Sequence, residues 1–498
     1  MQIDVLEGIY TDIKTDSLVL GLFEDEGLSP AAKYLDEPSR LQGLLTRAVQ
    51  KKQLTGEYKQ LKVYALAGKP EHVILVGMGK RSQFTHERLR RLAGISAKAA
   101  RQLGTSYTTN LHTMILTNPS EQAKSVTMGT VLGLYQFSKY KTNEKDKQKI
   151  VDCVVLLDTE KQKAEFARGV NDGHAIADSV NLSRDLVNTP AKDLTPKIFA
   201  QEAKKILKPL GCSVDVWDRR DIEKKGMHAL LGVSLGSEEE PQFIVIEYGP
   251  KKQKPIIFVG KGVTFDTGGL SIKYPYTAML DMKMDMAGGA AVIGAVRAIA
   301  SLKVQQRIIG LIPATENAIN GKAQKPGDIV KAMNGTTIEV LNTDAEGRLI
   351  LADALSYAET LQPQAIIDIA TLTGACMGAL GYANSGLFTR SDVLRDRIQS
   401  AAKATGDQVW QLPLTDDYTE TIKSDVADIR NIGKDNFAGA TTGAVFLEKF
   451  VTKTPWAHLD IAGPAFLPDE REYNPKGASG AMVRLLTELA QRWEPLDG

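Results

Sequence analysis

The 498-residue sequence has few of the features that mark secreted or membrane proteins. Its three cysteines, Cys153, Cys212 and Cys376, are far apart and form no C-x-x-C pair, so we expect no disulfide framework. The N-terminus has acidic residues where a signal peptide needs a basic start, and no stretch of about 18 uninterrupted apolar residues occurs. These absences favour a cytoplasmic protein with no membrane partner.

An excess of one charge is also missing. The 61 basic residues are balanced by 60 acidic residues, which leaves a net charge of +1. We therefore expect no strongly electropositive surface and predict no nucleic-acid partner. Hydrophobic residues make up 43% of the chain, which is enough to bury a sizeable core over two or three domains.

Strand and helix patterns alternate in two separate regions of the chain. In the first region we predict buried strands at 72–76 and 153–158, a helix at 80–100 and a solvated charged loop at 141–150. Gly77 and Gly79 follow the first strand, but Ser82 stands where a dinucleotide-binding fingerprint needs its third glycine. A tight strand-to-helix turn is the better interpretation, and we assign 1–160 to a smaller N-terminal α/β domain.

A long connecting helix is predicted at 161–189. Its apolar residues Phe166, Val170, Ile176 and Val180 lie on one face. Pro190 should end this helix, because the residue before a proline is pushed out of helical geometry.

The second region, 190–498, alternates more clearly. We predict strands at 243–248, 255–260, 307–312, 337–342 and 365–370, with helices at 288–302 and 349–361. Short apolar strands alternating with helices indicate an α/β domain with a largely parallel central sheet flanked by helices.

Charged side chains gather where these strands end, which is where open α/β sheets place their ligands. The segments that follow the strands contain Lys261, Asp266, Lys273, Asp281, Asp285, Asp344, Glu346 and Arg348. Carboxylates without cysteine or histidine form an oxygen-rich ligand set that suits Mg²⁺ or Mn²⁺ and is also accepted by Zn²⁺. Crowded acids repel one another, and two divalent ions about 3.5–4 Å apart would relieve that repulsion and create a hydrolytic centre.

Structural interpretations remain open for the same residues. Asp266 precedes Thr-Gly-Gly and suits a turn, and Asp285 could cap the following helix. Thr343 and Glu346 have the spacing of a capping box. Each lysine alone would usually be solvated. For His458, in WAHLDIAG, we favour a structural role, since it is a lone histidine beside an apolar strand.

Several segments together resemble the leucyl aminopeptidase family, the two-metal cytosol aminopeptidases of the M17 type. The sequence NTDAEGRL at 342–349 looks like the family's signature octapeptide. Further similar segments, in the same order and spacing, are VGKGVTFDTGGLSIK, MDMAGGAA, DIATLTGA, WAHLDIAG, GASGAMVRLL and NLSRDLVNTPAKDLTP. The resemblance is strong over roughly 180–490 and weak in 1–160, where the family is variable.

The resemblance implies a role for each matching residue. Lys261, Asp266, Asp285 and Glu346 would bind one metal, and Asp266, Asp344 and Glu346 the other. Lys273 would stabilise the developing oxyanion, and Arg348 would hold a bicarbonate ion that acts as general base. The pocket for the N-terminal side chain would be lined by Met282, Thr371, Gly374 and Ala478.

The resemblance also implies a substrate and an assembly. The expected protein is a cytoplasmic homohexamer that removes leucine-like and other apolar N-terminal residues from peptides, with Mn²⁺ or Zn²⁺, and less favourably Co²⁺ or Mg²⁺, as the two ions. One departure is the loop between Lys273 and Asp285, which is one residue longer than the family pattern and leaves Asp281 the less favoured ligand.

Two other functions fit parts of the pattern. A two-metal phosphoester hydrolase also needs clustered carboxylates, but such sites commonly include histidines, and the segments that carry the charged residues named above contain none. A binding or scaffold protein could retain the fold without turnover, but every expected ligand position is filled.

Overall fold

The computed structural model describes residues 1–8, 14–38, 41–114, 118–143, 151–158, 162–435 and 437–495. Within them the chain forms two compact units, Met1–Asp178 with Glu470–Pro475, and Ser179–Asp469 with Lys476–Gly498. The division falls inside the predicted connecting helix, which runs from Lys163 to Asn188 and so contributes to both units.

The first unit contains a six-stranded sheet. Its strands are β1 (Gln2–Glu7), β2 (Ser17–Phe23), β3 (Leu61–Ala65), β4 (His72–Gly79), β5 (Ser106–Thr109) and β6 (Cys153–Asp158), in the order β1-β6-β5-β2-β4-β3. All neighbouring strands are parallel except β3 and β4. The helices are α1 (Pro30–Leu35), α2 (Leu44–Gln50), α3 (His86–Leu103) and α4 (Pro119–Gly133).

The predicted helix at 80–100 begins six residues later than expected. Thr85 is its N-cap and accepts a hydrogen bond from the Arg88 N–H, so the start is set by the capping residue. Of the predicted loop at 141–150, residues 141–143 are exposed, and 144–150 lie outside the described residues.

The second unit contains α5 (Lys163–Asn188) from Ser179 onward and a mixed nine-stranded sheet. The strands of that sheet are β7 (Ser213–Trp217), β8 (Gln242–Tyr248), β9 (Ile256–Gly260), β10 (Gly262–Asp266), β11 (Ile308–Asn317), β14 (Ala365–Ala370), β15 (Ser385–Phe388), β16 (Val409–Gln411) and β18 (Trp456–Asp460). Their order is β16-β15-β18-β14-β9-β11-β8-β7, and β10 also pairs with β11. The central strands β18, β14, β9 and β11 are parallel, whereas β15 and β8 run antiparallel to their inner neighbours.

The remaining elements cover the sheet or form small additions. The helices are α6 (Pro196–Leu207), α7 (Arg219–Lys224), α8 (His228–Ser234), α9 (Ala287–Ser301), α10 (Glu346–Thr360), α11 (Gly374–Leu380), α12 (Asp392–Thr405), α13 (Gly439–Glu448) and α14 (Val483–Gln491). The short strands are β12 (Asp328–Lys331), β13 (Thr337–Val340), β17 (Ile429–Arg430), β19 (Phe466–Leu467) and β20 (Gly477–Ala478). The segment Met282–Ser301 is long and apolar enough to cross a membrane, but 83% of its apolar 18-residue window is buried, as in the core helix of a folded domain.

One predicted strand lies outside the main sheet. Residues 337–340 of the predicted strand 337–342 form β13, which belongs to a separate three-stranded sheet with β12 and β17. Its side chains alternate between half-buried and buried, while β9 and β14 are buried at every position. That alternation is typical of a strand with one covered face, so the placement of 337–342 in the central sheet was wrong.

Two capping interpretations are also wrong. The N-cap of α10 is Ala345, with no side-chain cap, and the Thr343 hydroxyl instead donates to the Gly268 carbonyl at 2.7 Å. The N-cap of α9 is Met286, also without a side-chain cap, and Asp285 lies in the preceding 3₁₀ turn. Neither Thr343 nor Asp285 caps its helix, so the side chains of both residues make their contacts elsewhere.

Candidate active site and metal centre

Small residues bring the polar segments of the second unit together. A Cβ on Gly288 would lie 2.1 Å from the Ile369 carbonyl oxygen, and one on Gly260 would lie 2.6 Å from Gly289 Cα. Helix α9 can therefore approach β9 and β14 more closely than larger side chains would allow. This close packing places Asp285, just before α9, beside Lys261, just after β9.

Lys261 is the centre of one group of contacts. Its Nζ lies 2.8 Å from Asp285 Oδ1, 2.8 Å from Glu346 Oε1 and 2.9 Å from the Thr371 carbonyl oxygen. The side chain is 3% exposed, so the solvated interpretation of this lysine was wrong. Three acceptors surround the three N–H groups of a charged ammonium.

Lys273 forms a second group. Its Nζ lies 2.6 Å from Asp266 Oδ2 and 2.5 Å from Asp344 Oδ1, and its side chain is 14% exposed. Asp266 Oδ1 accepts hydrogen bonds from the Gly268 N–H at 2.8 Å and from Asn317 Nδ2 at 2.8 Å. Asp266 thus makes the predicted turn with one oxygen and faces Lys273 with the other.

The carboxylates form a cluster that could hold a cation. Ligand oxygens of Asp266, Asp344 and Glu346 lie within 4.8 Å of one another. Asp285 Oδ2 and Glu346 Oε2 are buried and have no hydrogen-bond partner among the residues that the structure describes. An unpartnered buried carboxylate oxygen is costly, and a metal ion would supply its missing partner.

Burial and mutual repulsion raise the pKa of three of the four clustered carboxyl groups. Burial, with Glu346 and Asp285 adding to it, raises the pKa of Asp266 well above its ordinary value. Burial raises the pKa of Asp285 to about 6 against the opposing effect of Lys261, and burial also raises the pKa of Asp344. For Glu346 burial acts in the same direction, but Lys261 and Lys273 outweigh it and lower the pKa.

The two lysine pKa values are also raised, by attraction to the carboxylates. Burial alone would lower the pKa of Lys261, but Asp285, Glu346 and Asp266 raise it above the ordinary value. The same balance, with Asp266 as the strongest partner, raises the pKa of Lys273. Without metal, both lysines are charged and partly neutralise the acidic cluster.

Arg348, in the first turn of α10, is buried without an anionic partner. Its Nη1 donates to the Asn431 carbonyl at 2.8 Å, and its Nε has no hydrogen-bond partner in the structure. No carboxylate of the described residues lies within salt-bridge distance of it. Burial lowers the pKa of its guanidinium to about 10. A small planar anion would satisfy the free donor and the charge together.

The four residues predicted to line a side-chain pocket have different environments. Thr371 is buried, and its hydroxyl donates to Asp285 Oδ1 at 2.7 Å. Gly374 begins α11 and is exposed, and a Cβ added to it would meet no atom within 4 Å. Met282 is half-buried. Ala478 has no exposed surface, so it can affect the shape of a pocket only by packing against the residues that line it.

Two other predicted residues lie outside the cluster. Asp281 is exposed, and no ion pair of its side chain is found among the described residues. His458 is fully buried, with its Nδ1 2.5 Å from Asp368 Oδ1. Burial alone would lower the pKa of His458, but Asp368 raises it. These contacts fit the structural role that we favoured for His458.

Sequence reasoning missed three residues that support the site. Asn317 contacts Asp266, Asn431 contacts Arg348, and Asp460 accepts hydrogen bonds from the loop that carries Thr371. Asn317 and Asp460 each end a buried strand, β11 and β18. A polar residue at the end of a buried strand was the available signal.

Comparisons with known proteins place this arrangement in a family. The model of the cytosol aminopeptidase family, catalytic domain, matches residues 181–487, and the model of its N-terminal domain matches 19–144. A probable cytosol aminopeptidase of Geobacter sulfurreducens is 42% identical over 493 residues, which cover 98% of this chain and 99% of the relative. One of Solibacter usitatus is 46% identical over 430 residues, 85% of this chain and 87% of the relative.

Two solved structures are also similar along almost the whole chain. A mutant of tomato leucine aminopeptidase has a TM-score of 0.89 at 33% identity and covers 99% of this chain and 96% of its own. The bottromycin maturation enzyme BotP in complex with Mn has a TM-score of 0.85 at 31% identity and covers 96% of this chain and 99% of its own.

Proposed function

The chain belongs to the cytosol aminopeptidase family, M17, and on that premise we propose that it releases leucine-like and other apolar residues from the N-termini of peptides. The observation that carries the proposal is the buried cluster around Lys261 and Lys273, with two carboxylate oxygens that lack partners. It is a site for divalent cations that contains no nucleophilic serine or cysteine among its described residues.

The donor set fits two divalent ions. Lys261, Asp266, Asp285 and Glu346 would hold one ion, and Asp266, Asp344 and Glu346 the other, so that Asp266 and Glu346 are shared. Mn²⁺ and Zn²⁺ both accept this mixture of carboxylate and amine ligands, and the bound ions would polarise the scissile carbonyl and lower the pKa of water. Lys261 can be a ligand only after it loses its proton, which a neighbouring dication favours.

The remaining residues would bind and orient the substrate. Lys273 is charged and only 14% exposed, so it can donate to the oxygen on which negative charge develops. Arg348 would hold a bicarbonate ion, which would supply a general base, because the fork of its guanidinium matches a planar carbonate. Gly374, where an added Cβ would meet no described atom within 4 Å, and half-buried Met282 would line the pocket for an apolar side chain.

We also propose that six cytoplasmic copies assemble. Large apolar side chains of the second unit are strongly exposed, including Tyr274 at 94%, Phe437 at 83% and Tyr276 at 74%. Exposed apolar side chains that lie together in one patch mark interfaces between chains, and the number six comes from the family resemblance. Sedimentation of the purified protein should give six times the 54.2 kDa chain mass, and a 54.2 kDa particle would contradict the assembly.

The catalytic proposal is tested with paired substrates. Protein loaded with Mn²⁺ should release p-nitroaniline from Leu-p-nitroanilide and no phosphate from p-nitrophenyl phosphate. Glu346→Gln should nearly abolish the release while retaining the wild-type circular dichroism spectrum. Glu339→Gln is the matched control, since Glu339 lies in β13 and its Oε2 accepts a hydrogen bond from Ser424. Release of phosphate alone would make the protein a phosphoester hydrolase instead.

A further inference from the structure

Asp460, at the end of β18, holds the loop 371–373 in place. It has no exposed surface. Its Oδ1 accepts hydrogen bonds from the backbone N–H groups of Leu372 and Ala462, both at 3.1 Å. Its Oδ2 accepts from the Thr373 hydroxyl at 2.7 Å. That hydroxyl in turn accepts from the Cys376 N–H at 3.0 Å and caps α11.

The loop held by Asp460 reaches two proposed metal ligands through one residue. The Thr371 carbonyl accepts a hydrogen bond from Lys261 Nζ at 2.9 Å, and the Thr371 hydroxyl donates to Asp285 Oδ1 at 2.7 Å. Lys261 and Asp285 come from separate segments, after β9 and before α9. Thr371 is thus a shared support for both side chains.

These contacts orient both groups for metal binding. With Thr371 and Lys261 on Oδ1, the other oxygen of Asp285 is left buried without a partner. A neutral amine keeps two N–H groups and one lone pair. Asp285 and Glu346 would give their oxygens to a bound cation, whereas the Thr371 carbonyl would remain an acceptor for Lys261 and so would help to orient its amine.

We propose that Asp460 is a positioning residue for the metal site that contains Lys261 and Asp285, and that it acts through Thr371. This inference rests on the proposed two-metal function. Asp460 fixes the loop, and the loop fixes the amine and the carboxylate. Groups that orient metal ligands in this way typically change metal affinity by about 10- to 100-fold when removed.

The test measures binding of Mn²⁺ to the full-length, metal-stripped protein by calorimetry. Asp460→Ala and Thr371→Val should each weaken the binding of one of the two Mn²⁺ ions by about 10- to 100-fold and leave the affinity for the other ion unchanged. Thr371→Ser keeps the hydroxyl and should restore wild-type affinity. Thr405→Val is the matched control, because it removes a buried hydroxyl that donates to the Ala401 carbonyl in α12, outside the site.

The outcomes separate the inference from the function on which it rests. Wild-type affinity for both ions in Asp460→Ala and Thr371→Val, or an equal loss at both sites, would overturn the positioning role. If Asp460→Ala does not fold, Asp460→Asn takes its place, because its amide oxygen can still accept from the Leu372 N–H while its amide nitrogen cannot accept from the Thr373 hydroxyl. It should weaken binding of the same ion as Thr371→Val. If the wild-type protein itself binds no Mn²⁺ and leaves Leu-p-nitroanilide intact, the proposed function fails instead.

Discussion

Lys273→Met should make the protein bind metal more tightly while it hydrolyses peptides more slowly. Lys273 Nζ lies 2.6 Å from Asp266 Oδ2 and 2.5 Å from Asp344 Oδ1. Both carboxylates are proposed ligands of the same ion. Lys273 therefore competes with that ion, and its removal should destabilise the metal-free state more than the metal-bound state.

The magnitude follows from the burial of the three groups. Breaking a buried ion pair costs about 3–5 kcal/mol, and we take about 3 because the Asp344 side chain is 31% exposed. With an ion on the same carboxylates, the cost should fall to about 1 kcal/mol, as for exposed pairs. The difference of about 2 kcal/mol corresponds to roughly 30-fold tighter metal binding.

The assay pairs calorimetric Mn²⁺ titration with thermal unfolding, each with and without chelator. In chelator the variant should unfold at a lower temperature than wild type, and in Mn²⁺ the two should unfold at almost the same temperature. The kcat of the variant should fall because the oxyanion donor is lost. Lys283→Met is the control, because Lys283 donates to the Asn188 carbonyl at 3.0 Å and has no carboxylate within salt-bridge distance among the described residues. Weaker or unchanged Mn²⁺ binding in Lys273→Met would refute the reasoning.

Three further results are expected. Burial raises the pKa of Asp285 to about 6, so below that pH Mn²⁺ must displace a proton from this carboxyl group. Calorimetry in buffers of different ionisation enthalpy should therefore show more protons released on Mn²⁺ binding at pH 5 than at pH 8. Equal proton release at the two pH values would contradict Asp285 as a ligand. Gly347→Ala places a Cβ 2.6 Å from Lys261 Cε and should weaken Mn²⁺ binding by about 10-fold or more, whereas Gly321→Ala, in open space, should not. Arg348→Ala should lower kcat by about 100-fold and remove any stimulation by added bicarbonate, measured in carbon dioxide-free buffer; retained stimulation would exclude Arg348 as its holder.

The main features of the fold could be predicted from local patterns. Runs such as 255–260 and 365–370 are apolar almost throughout, and they became the fully buried strands β9 and β14. Sheet membership was harder, because β13 is a strand of similar length whose partners, β12 and β17, come from segments 9 and 92 positions away by the numbering of their first residues. Only its alternating burial, visible in Thr-Ile-Glu-Val, distinguished it from a central strand.

The cluster was predicted better than its supports. Lys261, Asp266, Asp285 and Glu346 are unusual residues to place beside buried strands, and the resemblance to a family marked each one. Asp460 looks like an ordinary polar residue at the end of a strand, and its contact with the loop 371–373 joins segments 88 residues apart. Such tertiary hydrogen bonds leave no periodicity or spacing in the sequence.

The capping box shows how a correct local pattern can be used for something else. Thr343 and Glu346 have its spacing, yet α10 begins without a side-chain cap. Thr343 binds the turn at Gly268 instead, and Glu346 points into the cluster beside Lys261. Thr343 and Glu346 therefore contact residues of other segments and do not cap the N-terminus of α10.

The most direct test of the account counts the ions that activity requires. Metal-stripped protein would be titrated with Mn²⁺ while bound metal per chain and p-nitroaniline release from Leu-p-nitroanilide are measured on the same samples. We expect negligible release without metal and full release only when two ions are bound per chain. Full activity in the stripped protein, or at a single bound ion with no further rise, would contradict the two-metal aminopeptidase site.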